Sequence, residues 1–564
     1  MKHMISCVVL ASLVLLSGCA EAPAPADLVL TGGRIVTMDA DGAEVEALAA
    51  RDGRLVALGS ADDVAAFIGG DTEVIELGGA LAVPGLIEGH GHFTGLGRSR
   101  MILDLTRVAD FGEIVEMVAD AVEEADPGAW IEGRGWHQEK WAAVPEPNVS
   151  GLPYHDALSE VSPVNPVVLT HASGHAVMVN AAALELGSID DATPDPPGGE
   201  IVRDGAGRAI GVLRETAETL VTAHRDGDRD EAATRRMIEL ATEECLKHGI
   251  TSFHDAGSSF ELVDLLSRMA ADEELGVRLW VMLSEDNDSL AAGLPDFKVY
   301  REGGAHLTVG GIKRWVDGAL GSHGAWLLEP YTDLPTSTGL NIVTREELRE
   351  SARLAVEHGL QLCSHAIGDR ANRVTLDVYE EAYAGAGEPR DLRWRVEHAQ
   401  HLHPGDIPRF GELGVVAAIQ PTHCTSDGPW VPVRLGEERS RTGAYVWRDL
   451  LDTGAVLASG TDVPVEPVDT MPSFYSAVTR RTGDGTAFYP EQVMTRMEAL
   501  RARTLDAAWA VFEDDIKGSL EVDKLADVTV LSRDILRVPE EEIPDTRVLY
   551  TIVGGEVRYR AGSQ

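Results

Sequence analysis

The stretch Leu81-Ala-Val-Pro-Gly-Leu-Ile-Glu-Gly-His-Gly-His92 decides how the rest of the chain is interpreted. It is a short apolar run that ends in two histidines one residue apart. Side chains alternate between the two faces of a strand, so His90 and His92 are predicted to point the same way at the strand's end. Two imidazoles on one rim can bind a single metal ion. We therefore expect further metal ligands at the ends of later strands.

The middle of the chain alternates apolar runs with helical patterns. Strands that are separated by helices of ten or more residues indicate parallel βαβ units. One of those helices has a capping box at Thr344-Arg-Glu-Glu347 and a terminating glycine at Gly359. The apolar runs lie at 81–87, 250–254, 277–282, 307–315, 360–364, 393–397, 415–420 and 455–460. Eight such units predict an α/β fold, a (β/α)₈ barrel of the TIM type whose chemistry sits at the strands' carboxyl ends.

Four later runs end at residues whose side chains can bind a metal ion or transfer a proton. Lys313 lies near the end of the fourth run, and His365, His398 and Asp462 end the fifth, sixth and eighth. A single histidine at a strand end is usually structural. A closed barrel makes all of these ends neighbours, so together with the two histidines of the first run they predict a shared site.

The remaining segments predict two further structural units. Residues 95–235 form too long a connection for a barrel loop and contain their own strand and turn signals, so we expect an inserted subdomain over the active site. Short β patterns at 27–80 and 511–564 predict one small β-sandwich built from both ends of the chain. The barrel then comprises 81–94 and 236–510.

The amino-terminal segment has the pattern of an export signal. An apolar run from Met4 to Leu16 ends in Leu-Ser-Gly-Cys19, which resembles the bacterial lipoprotein cleavage box. The resemblance implies a signal peptide at 1–18, lipid on Cys19 and a tether at 19–26. We expect a protein anchored in the bacterial cell envelope, on the periplasmic face of the outer membrane. An ordinary signal peptide that happens to contain a cysteine is the alternative.

Composition excludes several classes of protein. The chain has 48 basic and 92 acidic residues and a net charge of −44, which argues against nucleic-acid binding. Three widely spaced cysteines remain after Cys7 and Cys19, and they form no disulfide framework. The expected partner is a small molecule. Contact with the membrane is expected through the Cys19 lipid only, and the oligomeric state stays open, a homodimer included.

The sequence resembles the amidohydrolase superfamily, in particular its amidohydrolase-3 or YtcJ-like branch, which includes N-substituted formamide deformylases. The resemblance covers nearly the whole mature chain, through stretches such as PGLIEGHGH, SGHAVMVNAAAL, IKRWVDGALGSHGA, SHAIGDRA, VEHAQHLHP and SGTDVPVEP. It implies that His90 and His92 hold one divalent metal with Asp462 beside it, and that His365 and His398 hold a second. It further implies two zinc ions bridged by a carbamate on Lys313.

The implied reaction is hydrolysis of a C–N amide bond, of the N-formyl or N-acyl amine type. A water activated by metal would attack the carbonyl, while Asp462 carries the proton to the leaving nitrogen. Two alternatives stay open for these residues. Lys313 as an ammonium paired with Asp317 or Glu215 would leave a single metal, and Asp462 before Pro464 could cap a helix.

Four further residues are candidates for substrate contact, each with a structural role as its equal alternative. They are His175 and Trp136 in the insertion, His254 after the second run, and His423 after the seventh. Other activities of the same superfamily, a deaminase or a cyclic-amide hydrolase, remain as alternatives. A non-catalytic lipid-anchored binding protein is a third.

Overall fold

The computed structural model describes residues 23–40, 42–225, 231–297, 300–385 and 391–562. Its centre is an eight-stranded parallel sheet, curled into a nearly closed barrel. The strands are Leu86–Gly91, Ile250–Ser258, Arg278–Leu283, Leu307–Trp315, Gln361–Ala366, Arg395–His398, Val416–Ile419 and Leu457–Ser459, each paired with the next in chain order. The predicted α/β barrel is confirmed.

The first and eighth strands meet at a seam just below the barrel mouth. The Asp462 backbone N–H donates to the His90 carbonyl at 2.8 Å, and the His92 N–H donates to the Val463 carbonyl at 2.8 Å. The strands approach so closely that a Cβ atom added to Gly89 would lie 2.6 Å from the Ser459 carbonyl oxygen. Glycine is therefore needed here, and the seam holds the two ends of the barrel in register.

The first predicted run was wrong in its bounds, because it belongs to two different sheets. Leu81–Pro84 pairs with Arg34–Val36 and with Val528–Leu531 in a sheet beside the barrel, and only Leu86–Gly91 enters the barrel. The change of sheet falls at Gly85, where an added Cβ would lie 2.1 Å from Thr251 Oγ1. Both halves are apolar and buried, so periodicity does not separate them.

Both ends of the chain contribute to a pair of sheets beside the barrel. One sheet has the order Arg54–Gly59, Ala47–Arg51, Leu28–Thr31 and Glu73–Glu76. The other has the order Glu556–Arg560, Val548–Val553, Val528–Leu531, Leu81–Pro84, Arg34–Val36 and Glu44–Val45. Side chains from both termini, among them Leu30, Leu48, Val528 and Ile552, share one buried apolar cluster.

The segment between the first two barrel strands has its own six-stranded sheet. Its order is Gly199–Arg203, Ala209–Glu215, Ala176–Val179, Val167–His171, Ile131–Trp136 and Leu103–Asp104. Asn148–Val149 and Leu152–Pro153 form a separate pair. The helices of this segment are Phe93–Ser99, Phe111–Glu124, Asp156–Val161, Ala181–Leu186 and Thr219–Thr222.

Helices cover the outside of the barrel and join its strands. The predicted capping box is present at Thr344 and Glu347, and Gly359 ends that helix with φ 70°. The helices that follow the insertion are Glu231–Lys247, Phe260–Ala271, Asn287–Gly293, Glu302–Ala305, Arg345–His358, Asp369–Gly385, Ile407–Leu413, Pro421–Asp427, Val431–Leu435, Glu437–Gly443, Trp447–Asp452, Thr470–Thr479, Arg496–Ala502 and Leu505–Ala510; Ala61–Ala65 lies in the terminal sandwich.

The predicted lipid-attachment site, Cys19, lies outside the described residues, and the envelope location stays a prediction. Among the described helices, none combines the length and apolar character that a membrane crossing requires.

Candidate metal centre

The carboxyl ends of the first, sixth and eighth barrel strands bring three histidines and an aspartate together. His90 Nε2 and His92 Nε2 lie 3.5 and 3.3 Å from Asp462 Oδ1. The His398 ring lies 4.8 Å from the His90 ring, centroid to centroid. The arrangement follows from strand alternation, since His90 and His92 leave the first strand on the same side.

The fourth and fifth strands complete the cluster with Lys313 and His365. The His365 ring lies 4.4 Å from the His398 ring. Lys313 lines one cavity together with His92, His365, His398 and Asp462. The six residues His90, His92, Lys313, His365, His398 and Asp462 are referred to below as the metal centre.

Several polar atoms of the metal centre are buried with no hydrogen-bond partner in the described part of the chain. They are His90 Nε2, His365 Nε2, Lys313 Nζ and Asp462 Oδ1. Leaving such atoms unpaired in the interior is costly unless a ligand satisfies them. Ligand atoms of His90, His92 and Asp462 lie within 4.8 Å of one another, and so do those of His398, His423 and Asp462. Imidazole nitrogens with a carboxylate are the donor set of a divalent transition metal, so the residues fit such an ion.

Hydrogen bonds on the far side of two rings orient them toward the centre. His90 Nδ1 bonds to the Glu397 carboxylate, and His398 Nδ1 lies 2.8 Å from Gln420 Oε1. With Nδ1 occupied in this way, Nε2 of each ring is left for a metal. Sequence reasoning missed Glu397 and Gln420. Glu397 stands next to His398 in the chain, but nothing in the pattern shows that it reaches His90 on another strand.

Burial changes the proton affinity of the groups in this centre. Burial lowers the pKa of Lys313, which favours the neutral amine. Burial acts to raise the pKa of Asp462, but the adjacent imidazoles of His90 and His92 outweigh it and hold that pKa well below its usual value. Burial thus favours the neutral form of the Lys313 amine, while the neighbouring imidazoles favour the ionised form of the Asp462 carboxylate.

The structure does not pair Lys313 with either acidic residue that was considered for it. Asp317 accepts backbone N–H groups from Trp326, Ile367 and Gly368 at 2.7, 3.0 and 2.8 Å. Glu215 is bonded to His175. Within the described ranges Lys313 Nζ has no hydrogen-bond partner, so a simple ammonium–carboxylate pair with these residues is wrong.

Two of the four candidate substrate contacts lie at the wall of the cavity above the centre. His175 and His423 line a cavity with His365, His398 and Asp462. The His175 ring is 4.8 Å from the His365 ring, and His423 Nε2 is 3.9 Å from Asp462 Oδ2. Burial lowers the pKa of His175, but the Glu215 carboxylate more than offsets this and raises it.

The structure does not place Trp136 and His254 at the cavity wall, and these two predictions are corrected. Trp136 is fully buried in the insertion's own core, where Nε1 donates to the Leu169 carbonyl at 2.8 Å. The next residue, His137, lines the cavity instead. His254 lies inside the barrel against Trp280, with Nδ1 3.0 Å from Arg395 Nη1. The sequence pattern does not distinguish an aromatic strand residue that faces a buried core from one that faces a cavity.

Sequence comparison identifies the family. The family model described as "Amidohydrolase family" matches residues 73–559. The chain belongs to the amidohydrolase family. This match covers the barrel, the insertion and most of the carboxyl-terminal piece, but only the last residues of the amino-terminal piece.

Named relatives of this amidohydrolase are similar along nearly their whole length. Protein LONG AFTER FAR-RED 3 of Arabidopsis thaliana is 35% identical over 548 residues, 95% of this chain and 92% of the relative. The putative amidohydrolase YtcJ of Bacillus subtilis (strain 168) is 30% identical, covering 94% and 98%. The N-substituted formamide deformylase of Arthrobacter pascens is 28% identical, covering 95% and 99%.

A solved structure of similar fold is an uncharacterized metal-dependent hydrolase from Pyrococcus furiosus. It has a TM-score of 0.69 and 28% identity, and the match covers 90% of this chain and 100% of that one. With the family match and the donor set above, this amidohydrolase is a metal-dependent hydrolase.

Proposed function

We propose that this amidohydrolase cleaves the C–N bond of an N-formyl or N-acyl amine at a centre of two divalent ions, zinc by preference. The observation that carries the proposal is a set of buried potential ligand atoms without a hydrogen-bond partner among the described residues: Lys313 Nζ and Asp462 Oδ1, which lie among three histidine rings. The deformylase relative supports the amide class by its name and by its full-length match.

The residues divide into two ligand groups around Lys313. His90 and His92 with Asp462 would hold one ion, and His365 with His398 would hold the other. A neutral lysine amine reacts with CO₂ to give a carbamate, and burial of Lys313 favours the neutral amine. As a carboxylate, the modified side chain would bridge the two groups. Bound ions would polarise a carbonyl oxygen and acidify a water molecule.

The chain's own groups would then position the amide and move the proton. Asp462, ionised and next to His90 and His92, would accept a proton from the attacking water and return it to the leaving nitrogen as the C–N bond breaks. His175 and His423 stand at the cavity wall, where they would contact the amide. The insertion would cover the site and limit the access of bulk water.

The test combines metal analysis with a hydrolysis screen of formyl, acyl and cyclic amides, with and without chelator. We expect about two ions per chain and amide hydrolysis that chelator abolishes. Lys313→Ala should reduce the content to about one ion. Asp462→Asn should keep metal but lower kcat by about 100-fold to 10,000-fold.

Asp515→Asn is the matched control, because Asp515 forms a surface pair with Arg301 and lines neither cavity at the metal centre, and it should leave turnover unchanged. Metal content that Lys313→Ala does not alter would contradict the bridged centre. Full activity of Asp462→Asn would contradict the proton-transfer role.

A further inference from the structure

A carboxylate–histidine pair stands at the rim of the metal centre on the insertion's central strands. Ala176–Val179 and Ala209–Glu215 are antiparallel, with Ala176 opposite Arg214. His175 and Glu215 are therefore the next pair in this register, and the Glu215 N–H donates to the His175 carbonyl at 3.3 Å. Their side chains also meet, with His175 Nδ1 2.8 Å from Glu215 Oε2. The Glu215 side chain is 4% exposed and that of His175 13%.

The fold tolerates an unfavourable arrangement to keep this carboxylate in place. Glu215 has φ 52° and ψ −128°, a conformation that residues with a side chain rarely adopt. Its Oε1 lies against the loop after the fourth barrel strand, where a Cβ atom on Gly318 would come within 1.9 Å of it and one on Gly324 within 2.7 Å. Backbone strain of this kind persists where the surroundings hold it and often accompanies function.

The hydrogen bond fixes which nitrogen of His175 faces the cavity. An ionised carboxylate only accepts hydrogen bonds, so Nδ1 carries the proton that it donates to Glu215. In the neutral ring Nε2 is then an acceptor. The ring lines both cavities that open onto Asp462 and His398. An acceptor at this position suits the N–H of an amide whose carbonyl lies at the metal centre.

We propose that the His175–Glu215 pair selects secondary amides: His175 Nε2 accepts the N–H of the scissile amide, and Glu215 is the positioning residue that fixes the ring and its tautomer. The inference rests on the proposed function and adds the substrate class to it. A tertiary amide has no N–H to donate, so it would leave Nε2 unpaired and place a methyl group against the ring.

The kinetic test compares each secondary amide with its N-methyl counterpart. The probes are the formamides and acetamides of cyclohexylamine and aniline, assayed with the metal-loaded enzyme at about pH 9, which is well above the ordinary imidazole pKa and allows for the rise that Glu215 causes at His175. We expect wild type to favour the secondary amide by about 100-fold or more in kcat/KM. His175→Ala should reduce this ratio to about 3-fold or less, and Glu215→Gln should reduce it at least about 10-fold.

The double variant separates positioning from general support of the fold. If Glu215 acts through His175, adding Glu215→Gln to His175→Ala should change the ratio no further. Glu200→Gln is the matched control, because it makes the same chemical change on the neighbouring strand, where Glu200 bonds Arg214 at 2.7 Å. It should leave the ratio as in wild type.

A second readout does not depend on turnover. Nitrogen NMR of enzyme labelled with ¹⁵N-histidine, with the His175 signals assigned from the His175→Ala spectrum, should show Nδ1 protonated in wild type and a mixture of tautomers in Glu215→Gln. Thermal melting of each variant checks that it is folded.

Each outcome has a distinct meaning. Equal rates for secondary and tertiary amides in wild type would overturn the inference and leave the proposed function intact. A Glu215→Gln loss that is the same for both amides, or an unchanged tautomer, would overturn the positioning role. If no amide is cleaved at all, the proposed function fails and the selectivity fails with it.

Discussion

The buried Glu397 carboxylate offers a prediction whose magnitude follows from its contacts. Glu397 bonds His90 Nδ1 on one side and Arg395 on the other, with Arg395 Nε to Oε1 at 2.8 Å and Nη2 to Oε2 at 3.0 Å. Neither Arg395 nor Glu397 is exposed to solvent. Glu397→Gln keeps the shape of the side chain but removes the charge that compensates Arg395.

Two separate losses are expected from Glu397→Gln. An uncompensated buried arginine costs about 3–5 kcal/mol of unfolding free energy, because removing one partner of a buried pair leaves the other charge unpaired. Weaker orientation of His90 should lower metal affinity about 10-fold to 100-fold, which corresponds to about 1.4–2.7 kcal/mol of binding free energy.

Denaturant unfolding in the presence of chelator measures the first loss without any contribution from bound metal. Competition with a metal-sensitive dye measures the second. Glu498→Gln is the control, since Glu498 pairs with Arg448 at 2.9 Å but both side chains are about 30% exposed, and its loss should be at most about 1 kcal/mol. Equal unfolding midpoints for the two variants, with unchanged metal affinity in Glu397→Gln, would refute the reasoning.

Two further predictions concern residues away from the centre. Trp136→Phe removes the indole N–H that donates to the Leu169 carbonyl, so thermal melting should show a loss of about 1–3 kcal/mol of unfolding free energy. The values of kcat and KM should stay unchanged. Altered kinetics would indicate that Trp136 contacts the substrate after all. Burial lowers the pKa of His401 to about 3, so the folded protein keeps this ring neutral while the unfolded chain protonates it below about pH 6.5. The stability contributed by the neutral His401 ring is therefore present above that pH and is lost toward pH 3. We expect His401→Phe to shift the acid-unfolding midpoint to lower pH. An unshifted midpoint in an acid titration would contradict the burial argument.

Most of the barrel and the identity of the residues in its centre could be predicted from the sequence. Apolar runs alternating with helical patterns are local signals, and each chemical group stands at the end of its own run. Parallel strands in a closed barrel necessarily bring those ends together. For this reason His365 and Asp462, nearly a hundred residues apart, could be assigned to one rim without coordinates.

The sequence alone left the sheet boundaries and the partners of buried polar groups undecided. The sequence of the apolar run 81–87 does not indicate that the chain changes sheet at Gly85. That change depends on the approach of Thr251 from another strand. Trp136 is the last residue of a strand and His137 follows it directly, yet one fills a core and the other lines the cavity. Alternation shows that they face opposite ways but not what lies on each side.

The local sequence pattern therefore determined which residues this amidohydrolase uses at its strand ends, because strand periodicity is a property of consecutive residues. The tertiary structure alone decided which groups support them: Glu397 beneath His90, and Glu215 beside His175. Those contacts depend on strand order and register, which are set by packing between segments distant in the chain, and no single segment carries that information.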